Sequence, residues 1–225
     1  MAIIKKYSAR IVKIQNSIDG VYTLILESLG KPFKYNPGQF LHLAIDEYDP
    51  AGQWPDSRCF SMQSSPDDEL IKITYSIKGK FTGRMQQELK PGNHVTLKLP
   101  YGDLFTQPHN KSNTVFIAGG TGITPFLSLF THDSFQTYIK PRIYLGFRSK
   151  TYNIYEDELK AVKHCELRVY YENIDGLIEI NEIFFDNGKL CDYFISGPPV
   201  MIRTFKEFLI RNGVLSNQIL TDDWE

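Results

Sequence analysis

Apolar and polar residues alternate along short segments of the first half of the chain, as in half-buried β-strands. The turn signal Asp19-Gly20 separates the first two segments, and stretches with proline or glycine separate others. Six segments of this kind predict a small antiparallel β-barrel. We expect strands at 9–14, 21–27, 40–45, 58–62, 70–77 and 95–99. One helix interrupts them, with Thr82 as its N-cap, and ends before Lys90-Pro91-Gly92.

The second half alternates strands with helices, which indicates a doubly wound parallel sheet. The predicted strands are 115–118, 142–147, 166–171, 193–196 and 219–220, and the clearest helices are 153–163 and 200–211. A polar stretch at 106–113 is the boundary. We therefore expect an α+β fold of two domains: a six-stranded antiparallel β-barrel at 1–107 and an α/β parallel sheet at 108–225.

A glycine turn lies between the first strand and the first helix of this second half. Gly119, Gly120 and Gly122 follow the apolar strand, and Thr124-Pro125 opens an apolar segment, with Thr124 as expected N-cap and Pro125 at N1. Such a turn lets backbone N–H groups approach a pyrophosphate. It is neither the phosphate loop of NTPases nor a strict G-x-G-x-x-G. By itself it also fits a turn with only a structural role.

Composition narrows the class of protein without naming a function. The 225 residues are 42% apolar and 23% charged, as in ordinary globular proteins, and the net charge of −1 gives no electrostatic reason to expect nucleic acid as a partner. No apolar stretch approaches the ~20 residues of a membrane span. Cys59, Cys165 and Cys191 offer neither a disulfide framework nor a metal-ligand set. We expect a cytoplasmic monomer without a metal site.

Two clusters in the first half suggest phosphate binding. Along the predicted strand Arg58-Cys59-Phe60-Ser61, Arg58 and Phe60 share one face; a guanidinium suits a phosphate, and a ring can cover a planar cofactor. In Gly-Lys-Phe-Thr (79–82), a turn enters a helix N-terminus. Taken alone, the first cluster also fits a surface arginine in an ion pair, and the second an ordinary capped turn.

In order along nearly the whole chain, these motifs resemble the ferredoxin–NADP reductase superfamily. They are Pro-Gly-Gln-Phe (37–40), Arg-Cys-Phe-Ser (58–61), Gly-Lys-Phe-Thr (79–82), Pro-Tyr-Gly-Asp-Leu-Phe (100–105), Gly-Gly-Thr-Gly-Ile-Thr-Pro (119–125) and Ser-Gly-Pro-Pro-Val-Met (196–201). The resemblance implies an FAD-binding barrel and an NAD-binding domain, with no iron–sulfur domain. Arg58 would hold a flavin phosphate, Phe60 would lie by the isoalloxazine, and the Ser61 hydroxyl would approach flavin N5.

The resemblance and the residue chemistry together give the candidate site. The expected catalytic residues are Ser61, Ser196 and Asp222. The expected cofactor-binding residues of the first half are Arg58, Cys59, Phe60, Ser61, Tyr75, Gly79, Lys80, Phe81 and Thr82. Those of the second half are Gly119, Gly120, Thr121, Gly122, Thr124, Arg148, Glu172, Ser196, Gly197, Pro198, Met201 and Trp224.

Three positions depart from the pattern of many relatives. Phe60 stands where many have tyrosine, so a ring is kept and a phenolic hydrogen bond is lost. Ser196 stands where many have cysteine before Gly-Pro-Pro. Near the end of the chain, Asp222 and Trp224 resemble the acidic and aromatic residues that relatives often carry.

By this resemblance we expect a flavin-dependent NAD(P)H oxidoreductase. Hydride would pass from NAD(P)H to bound FAD, and single electrons to a separate acceptor: a ferredoxin, a flavodoxin-like protein, an oxygenase component or free flavin. The alternatives are a free-flavin reductase and a non-catalytic module that senses a dinucleotide or flavin.

The acidic stretch Glu-Asn-Ile-Asp (172–175) favours NADH over NADPH, although NADP(H) stays possible. An acid after a strand of a doubly wound sheet suits a ribose 2′-OH, and a cation suits a 2′-phosphate. Arg148-Ser149-Lys150, after the neighbouring strand, is the counter-evidence. We give the acids more weight.

Overall fold

The structure is a computed structural model that describes residues 3–49 and 51–222. The chain divides into two compact units between Asp103 and Leu104. The domain limits inferred from the sequence, 1–107 for an FAD-binding barrel and 108–225 for an NAD(P)-binding domain, stay a prediction. Trp224, one of the candidate flavin contacts, lies outside the described residues.

The first unit is a nearly closed barrel of six antiparallel strands. They pair in the order β4-β3-β6-β1-β2-β5, so β4 and β5 are the two edges of the sheet. Just after β4, the backbone N–H of Gln63 donates to the carbonyl of Lys72 in β5 at 2.8 Å and nearly closes the seam. The strands are β1 (Lys5–Ile18), β2 (Val21–Ser28), β3 (Phe40–Ala44), β4 (Ser57–Ser61), β5 (Leu70–Ser76) and β6 (His94–Tyr101).

Helix α1 (Lys80–Glu88) belongs to the barrel core, because Phe81 and Met85 are buried in the same apolar cluster as the inward residues of the strands. The expectation that Thr82 caps this helix is wrong. The N-cap is Gly79, which has an extended backbone, and Thr82 is the third helical residue. The Thr82 hydroxyl accepts the backbone N–H groups of Lys78 at 2.9 Å and Gly79 at 3.2 Å, so it stabilises the turn from inside the helix.

The second unit is a five-stranded parallel sheet in the order β11-β10-β7-β8-β9. Its strands are β7 (Thr114–Gly119), β8 (Arg142–Phe147), β9 (Glu166–Tyr171), β10 (Asp192–Ser196) and β11 (Ile219–Thr221). Its helices are α2 (Thr124–Phe130), α3 (Glu156–Ala161), α4 (Glu172–Asp175), α5 (Ile180–Asn187) and α6 (Pro199–Arg211). Short 3₁₀ segments lie at Gly120–Ile123, Asp133–Thr137, Lys150–Tyr152 and Ser216–Gln218.

Strand β7 is buried on both faces, as expected of a central parallel strand. Phe116 and Ala118 pack into a cluster with residues of α2 and α3, whereas Val115 and Ile117 pack into a second cluster with residues of α5 and α6. Helices therefore cover both faces of the sheet. The expected fold class, an antiparallel barrel followed by a doubly wound sheet, is confirmed.

The start of α2 differs from the expectation. The 3₁₀ segment Gly120–Ile123 runs directly into the helix, so Ile123 is the N-cap, Thr124 the first helical residue and Pro125 the second. The Thr124 hydroxyl donates to the carbonyl of Thr121 at 2.9 Å. Thr124 was expected as N-cap, and that expectation is wrong because the glycines themselves form a helical turn. The helix expected at 153–163 is also shorter, at Glu156–Ala161. Among the described residues, no helix is long and apolar enough to cross a membrane.

Candidate flavin and nucleotide sites

The candidate flavin residues of the first unit gather at the seam of the barrel. Arg58, Phe60 and Ser61 lie on the edge strand β4, and Tyr75 lies on the other edge strand, β5. The stretch 79–82 follows β5 directly. Residues far apart in the sequence therefore lie along the seam between the two edge strands of the barrel.

Register with β3 shows which way the β4 side chains face. Phe60 pairs with Leu41 and Arg58 with Leu43, and both leucines belong to the barrel core, whereas Cys59 pairs with His42. The Cys59 sulfur lies 3.4 Å from Nε2 of His42. Arg58 and Phe60 thus share the face towards the core and α1, and Cys59 lies on the opposite face.

The aromatic candidates of this unit are largely buried. The Phe60 ring contacts the Tyr75 ring at 5.9 Å between centroids, and Tyr75 stacks on Tyr22 at 5.6 Å. Burial raises the pKa of the Tyr75 hydroxyl well above its ordinary value. Tyr75 therefore stays a neutral phenol. Ser61, the residue expected beside flavin N5, is also buried.

Arg58 lies beside the N-terminus of α1. Its NH1 nitrogen donates to Oδ1 of Asp56 at 2.6 Å and to the carbonyl of Ser57 at 2.7 Å. Its guanidinium lies over the ring of Phe81, the second residue of α1, at 5.1 Å. Asp56 was not among the residues predicted from the sequence. Residues two apart on an extended chain share a face, and Asp56-Ser57-Arg58 has that spacing.

The N-terminus of α1 is a suitable anion site. The first N–H groups of a helix have no acceptor within the helix, and here they belong to Lys80, Phe81 and Thr82. The first turn has no acidic residue that would repel an anion. The helix dipole and the Arg58 guanidinium both favour negative charge at this place, so the residues present fit a cofactor phosphate.

In the second unit, two loops meet at the carboxyl ends of neighbouring strands. Residue Ala118 of β7 pairs with Ser196 of β10, and a glycine-containing turn follows each. A Cβ at residue 122 would lie 2.5 Å from both N and Cα of Gly197. Only glycine at 122 allows the two backbones to come this close.

Met201 and Pro198 fill the space beneath this pair of turns. A Cβ at Gly119 would lie 3.0 Å from the sulfur of Met201 and 3.0 Å from Cδ of Pro198. Gly120, with φ of +55°, has open space where its side chain would be. The two turns, Gly119–Gly122 and Ser196–Pro198, therefore form a concave backbone surface, the backbone cradle, which a ligand can approach at Gly120. Such a cradle fits the pyrophosphate of a dinucleotide.

Two expected catalytic residues of the second unit are in contact. The Ser196 hydroxyl donates to Oδ2 of Asp222 at 3.2 Å, and the backbone N–H of Asp222 donates to the carbonyl of Ile195 at 3.0 Å. Ser196 is buried. The carboxylate fixes the direction of a hydroxyl beside the cradle, although the two residues are 26 positions apart in the sequence.

Arg148 and Glu172 lie at the ends of adjacent strands. Phe147 of β8 pairs with Tyr171 of β9, and the N–H of Asn173 donates to the carbonyl of Arg148 at 3.3 Å. Asp175 accepts the N–H of Tyr171 at 2.8 Å through Oδ2. Its carboxylate therefore stabilises the turn of α4. Glu172 is exposed and follows β9 directly, at the strand end next to the one that Arg148 follows.

Within the part of the chain that the structure describes, no cluster of three or more His, Cys, Asp or Glu side chains could hold a metal ion.

Thr124 is buried, and its hydroxyl donates to the carbonyl of Thr121, so it stabilises the glycine turn from its buried side. The assignment of individual residues to the two cofactors stays a prediction.

Comparison with known proteins identifies the family. Residues 6–142 match the FAD-binding domain family, and residues 116–207 match the oxidoreductase NAD-binding domain family. The chain belongs to the ferredoxin–NADP reductase superfamily. The resemblance noted from the motifs is confirmed, and so are the two cofactors, FAD and a nicotinamide dinucleotide.

Individual relatives are distant. The chain is 27% identical over 214 residues to the reductase component of propane 2-monooxygenase from Mycolicibacterium smegmatis, covering 85% of this chain and 60% of that protein. It is 23% identical over 231 residues to the flavohemoprotein of Rhizobium meliloti, covering 89% of this chain and 56% of that protein. The chain thus spans less than two thirds of the length of each of these relatives.

A solved structure shares the fold over its whole length. It is a ferredoxin NADP+ reductase from Neisseria gonorrhoeae with bound FAD and NADP, with a TM-score of 0.78 and 19% sequence identity, and the match covers 99% of both chains. At this identity the likeness concerns the fold alone.

Replacing Arg58 by alanine should release flavin without unfolding the barrel. Arg58 is exposed, and a charge-assisted phosphate contact is worth about 1.5–3 kcal/mol, or ~10- to 150-fold in affinity. The measurement is flavin content after dialysis, with the far-ultraviolet spectrum as a check of folding. Stoichiometric flavin in the dialysed variant would show that Arg58 does not bind the phosphate.

Two glycine variants should separate folding from nucleotide binding. In Gly122→Ala the new Cβ collides with the Gly197 backbone, so the loops must move apart and the second unit should lose both stability and reduction by NADH. In Gly120→Val the new Cβ has no protein atom within 4 Å, and the positive φ adds strain of about 1–3 kcal/mol.

For Gly120→Val we therefore expect a folded protein that keeps flavin but is hardly reduced, because the side chain takes the space in front of the cradle. Urea unfolding and the rate of flavin reduction measure the two effects. Normal reduction in Gly120→Val would remove this turn from the nucleotide site.

Proposed function

We propose that the chain is a flavin-dependent NAD(P)H oxidoreductase that passes hydride from NAD(P)H to bound FAD and then single electrons to a separate acceptor. The observation that carries the proposal is the backbone cradle at Gly119–Gly122 and Ser196–Pro198, with the Ser196–Asp222 hydrogen bond beside it. Membership of the superfamily supports it.

The cofactors supply the redox chemistry: a flavin accepts a hydride and can give up electrons one at a time. The chain binds and orients them. Arg58 and the N-terminus of α1 hold a phosphate of FAD, while Phe60 flanks the flavin ring without the hydrogen bond of a tyrosine. In the second unit the backbone cradle holds the dinucleotide pyrophosphate.

Asp222 and Ser196 act as a pair on the nicotinamide side. The carboxylate accepts a hydrogen bond from the Ser196 hydroxyl and so keeps that group in a fixed orientation. A serine fills less space and is less polarisable than the cysteine of many relatives. We therefore infer a role for Ser196 in placing the nicotinamide, with Asp222 acting through it.

The acceptor we infer is an oxygenase component or a small iron–sulfur or flavodoxin-like protein. Support comes from the reductase component of propane 2-monooxygenase, to which the chain is similar over 85% of its length. We infer a cytoplasmic protein, because Cys59, Cys165 and Cys191 form no disulfide among the described residues, as is usual in a reducing compartment.

The decisive experiment uses the purified full chain. We expect a yellow protein that keeps FAD through gel filtration, is bleached by NADH without oxygen, and reduces ferricyanide catalytically. A colourless protein that FAD cannot reconstitute would instead indicate a non-catalytic module. NADH oxidation that depends on added flavin, with none retained, would indicate a free-flavin reductase.

NADH should be preferred to NADPH. Glu172 is exposed at the end of β9, and its carboxylate repels a ribose 2′-phosphate and accepts hydrogen bonds from a ribose diol. In Glu172→Arg, one charge-assisted contact to the phosphate should move the ratio of kcat/KM towards NADPH by ~10-fold or more. Ferricyanide serves as acceptor for both nucleotides.

The matched control is Glu166→Arg, which makes the same charge change at the exposed amino end of the same strand. Its nucleotide preference should equal that of the wild type. A wild type that favours NADPH tenfold would show that the cation of Arg148 decides the preference.

A further inference from the structure

The candidate phosphate ligand Arg58 is held in place by its own chain. Oδ1 of Asp56 lies 2.6 Å from NH1, and the carbonyl of Ser57 lies 2.7 Å from the same nitrogen. NH1 carries two N–H groups, and these two acceptors match them in number. One end of the guanidinium is therefore fixed.

A second contact restrains the guanidinium group. The guanidinium lies over the Phe81 ring at 5.1 Å, and Phe81 is buried at the N-terminus of α1, inside the barrel core. The guanidinium has five N–H groups, so Nε and NH2 keep three for another acceptor. Together they form the planar edge that binds an oxyanion in a bidentate manner.

We propose that Asp56 is a positioning residue for flavin: it locks Arg58 so that the Nε–NH2 edge is presented to the flavin phosphate. The inference rests on the proposed function, in which Arg58 binds that phosphate. A flexible arginine side chain loses much conformational freedom when it binds, and Asp56 removes part of that cost in advance.

Simple electrostatics predicts the opposite effect. A carboxylate beside an anion site repels the anion and competes for the cation, so its removal should strengthen flavin binding. The number of N–H donors on Arg58 favours the positioning role, because Asp56 binds only NH1 and leaves the edge formed by Nε and NH2 open. The two effects have opposite signs and can be separated by experiment.

The exposure of the pair also allows a clean test. The side chains of Arg58 and Asp56 are 54% and 58% exposed, and exposed ion pairs of this kind contribute little to folding stability. Variants at Asp56 should therefore keep the thermal midpoint of the apoprotein, and a change in flavin affinity can be assigned to the site.

The experiment is a titration of the flavin-free full chain with FAD, followed by quenching of flavin fluorescence. Asp56→Ala removes charge and acceptor and should weaken FAD binding by about 3- to 10-fold. Asp56→Asn keeps an acceptor oxygen for NH1 and should stay within about 2-fold of the wild type. In an Arg58→Ala background, Asp56→Ala should have no further effect, since it acts through Arg58.

Glu27→Gln is the matched control. Glu27 pairs with Arg10 at the same N–O distance of 2.6 Å on β1 and β2, so this variant removes one carboxylate from an equivalent exposed pair of the same unit. Its FAD affinity should equal that of the wild type, which excludes an effect of net charge alone.

Tighter FAD binding in both Asp56→Ala and Asp56→Asn would overturn the inference and show that Asp56 competes with the phosphate. Unchanged affinity in Asp56→Ala would overturn it as well. If the wild-type chain itself does not bind FAD, the proposed function fails and the inference falls with it, whereas the first two outcomes leave the proposed function intact.

Discussion

The close approach of two backbones in the second unit is the constraint on which its site depends. The glycine turn after β7 and the Gly-Pro-Pro turn after β10 come together at Gly122 and Gly197. A Cβ at residue 122 would lie only 2.5 Å from backbone atoms of Gly197. Because neighbouring parallel strands end at the same edge of the sheet, both turns open in one direction. The pairing of β10 with β11, in which Ile195 lies opposite Thr221, brings Ser196 next to Asp222.

The barrel reaches a comparable result by another route. A six-stranded sheet that does not fully close leaves two edges, and β4 and β5 carry Arg58, Phe60, Ser61 and Tyr75 along them. The chain leaves β5 through Gly79 into α1, whose first N–H groups lie with the buried Phe81 at the candidate anion site. Under the proposed function, each unit would offer backbone N–H groups to a cofactor phosphate, which then needs few side chains.

Each of the two candidate cations has an acidic residue close by in the fold, which under the proposed function would tune the anion that its site accepts. Asp56 contacts Arg58, and Glu172 is adjacent to Arg148 through the pairing of β8 with β9. With a net charge of −1 the chain has no strong overall field. Under the proposed function, local charges of this kind, rather than the total charge, would set the affinity for flavin and nucleotide.

The sequence by itself determined the fold class, the order of the motifs and most strands, because alternation and glycine punctuation are local signals. It failed at the starts of α1 and α2. There Thr82 and Thr124 are of a residue type typical of N-caps, but neither is the N-cap. The N-cap of α1 is Gly79, and the 3₁₀ segment Gly120–Ile123 leads directly into α2. Only tertiary structure decided which residues meet: Gly122 with Gly197, Ser196 with Asp222, and Arg58 with Phe81. These pairs are joined by strand order and close packing, which a one-dimensional pattern does not contain.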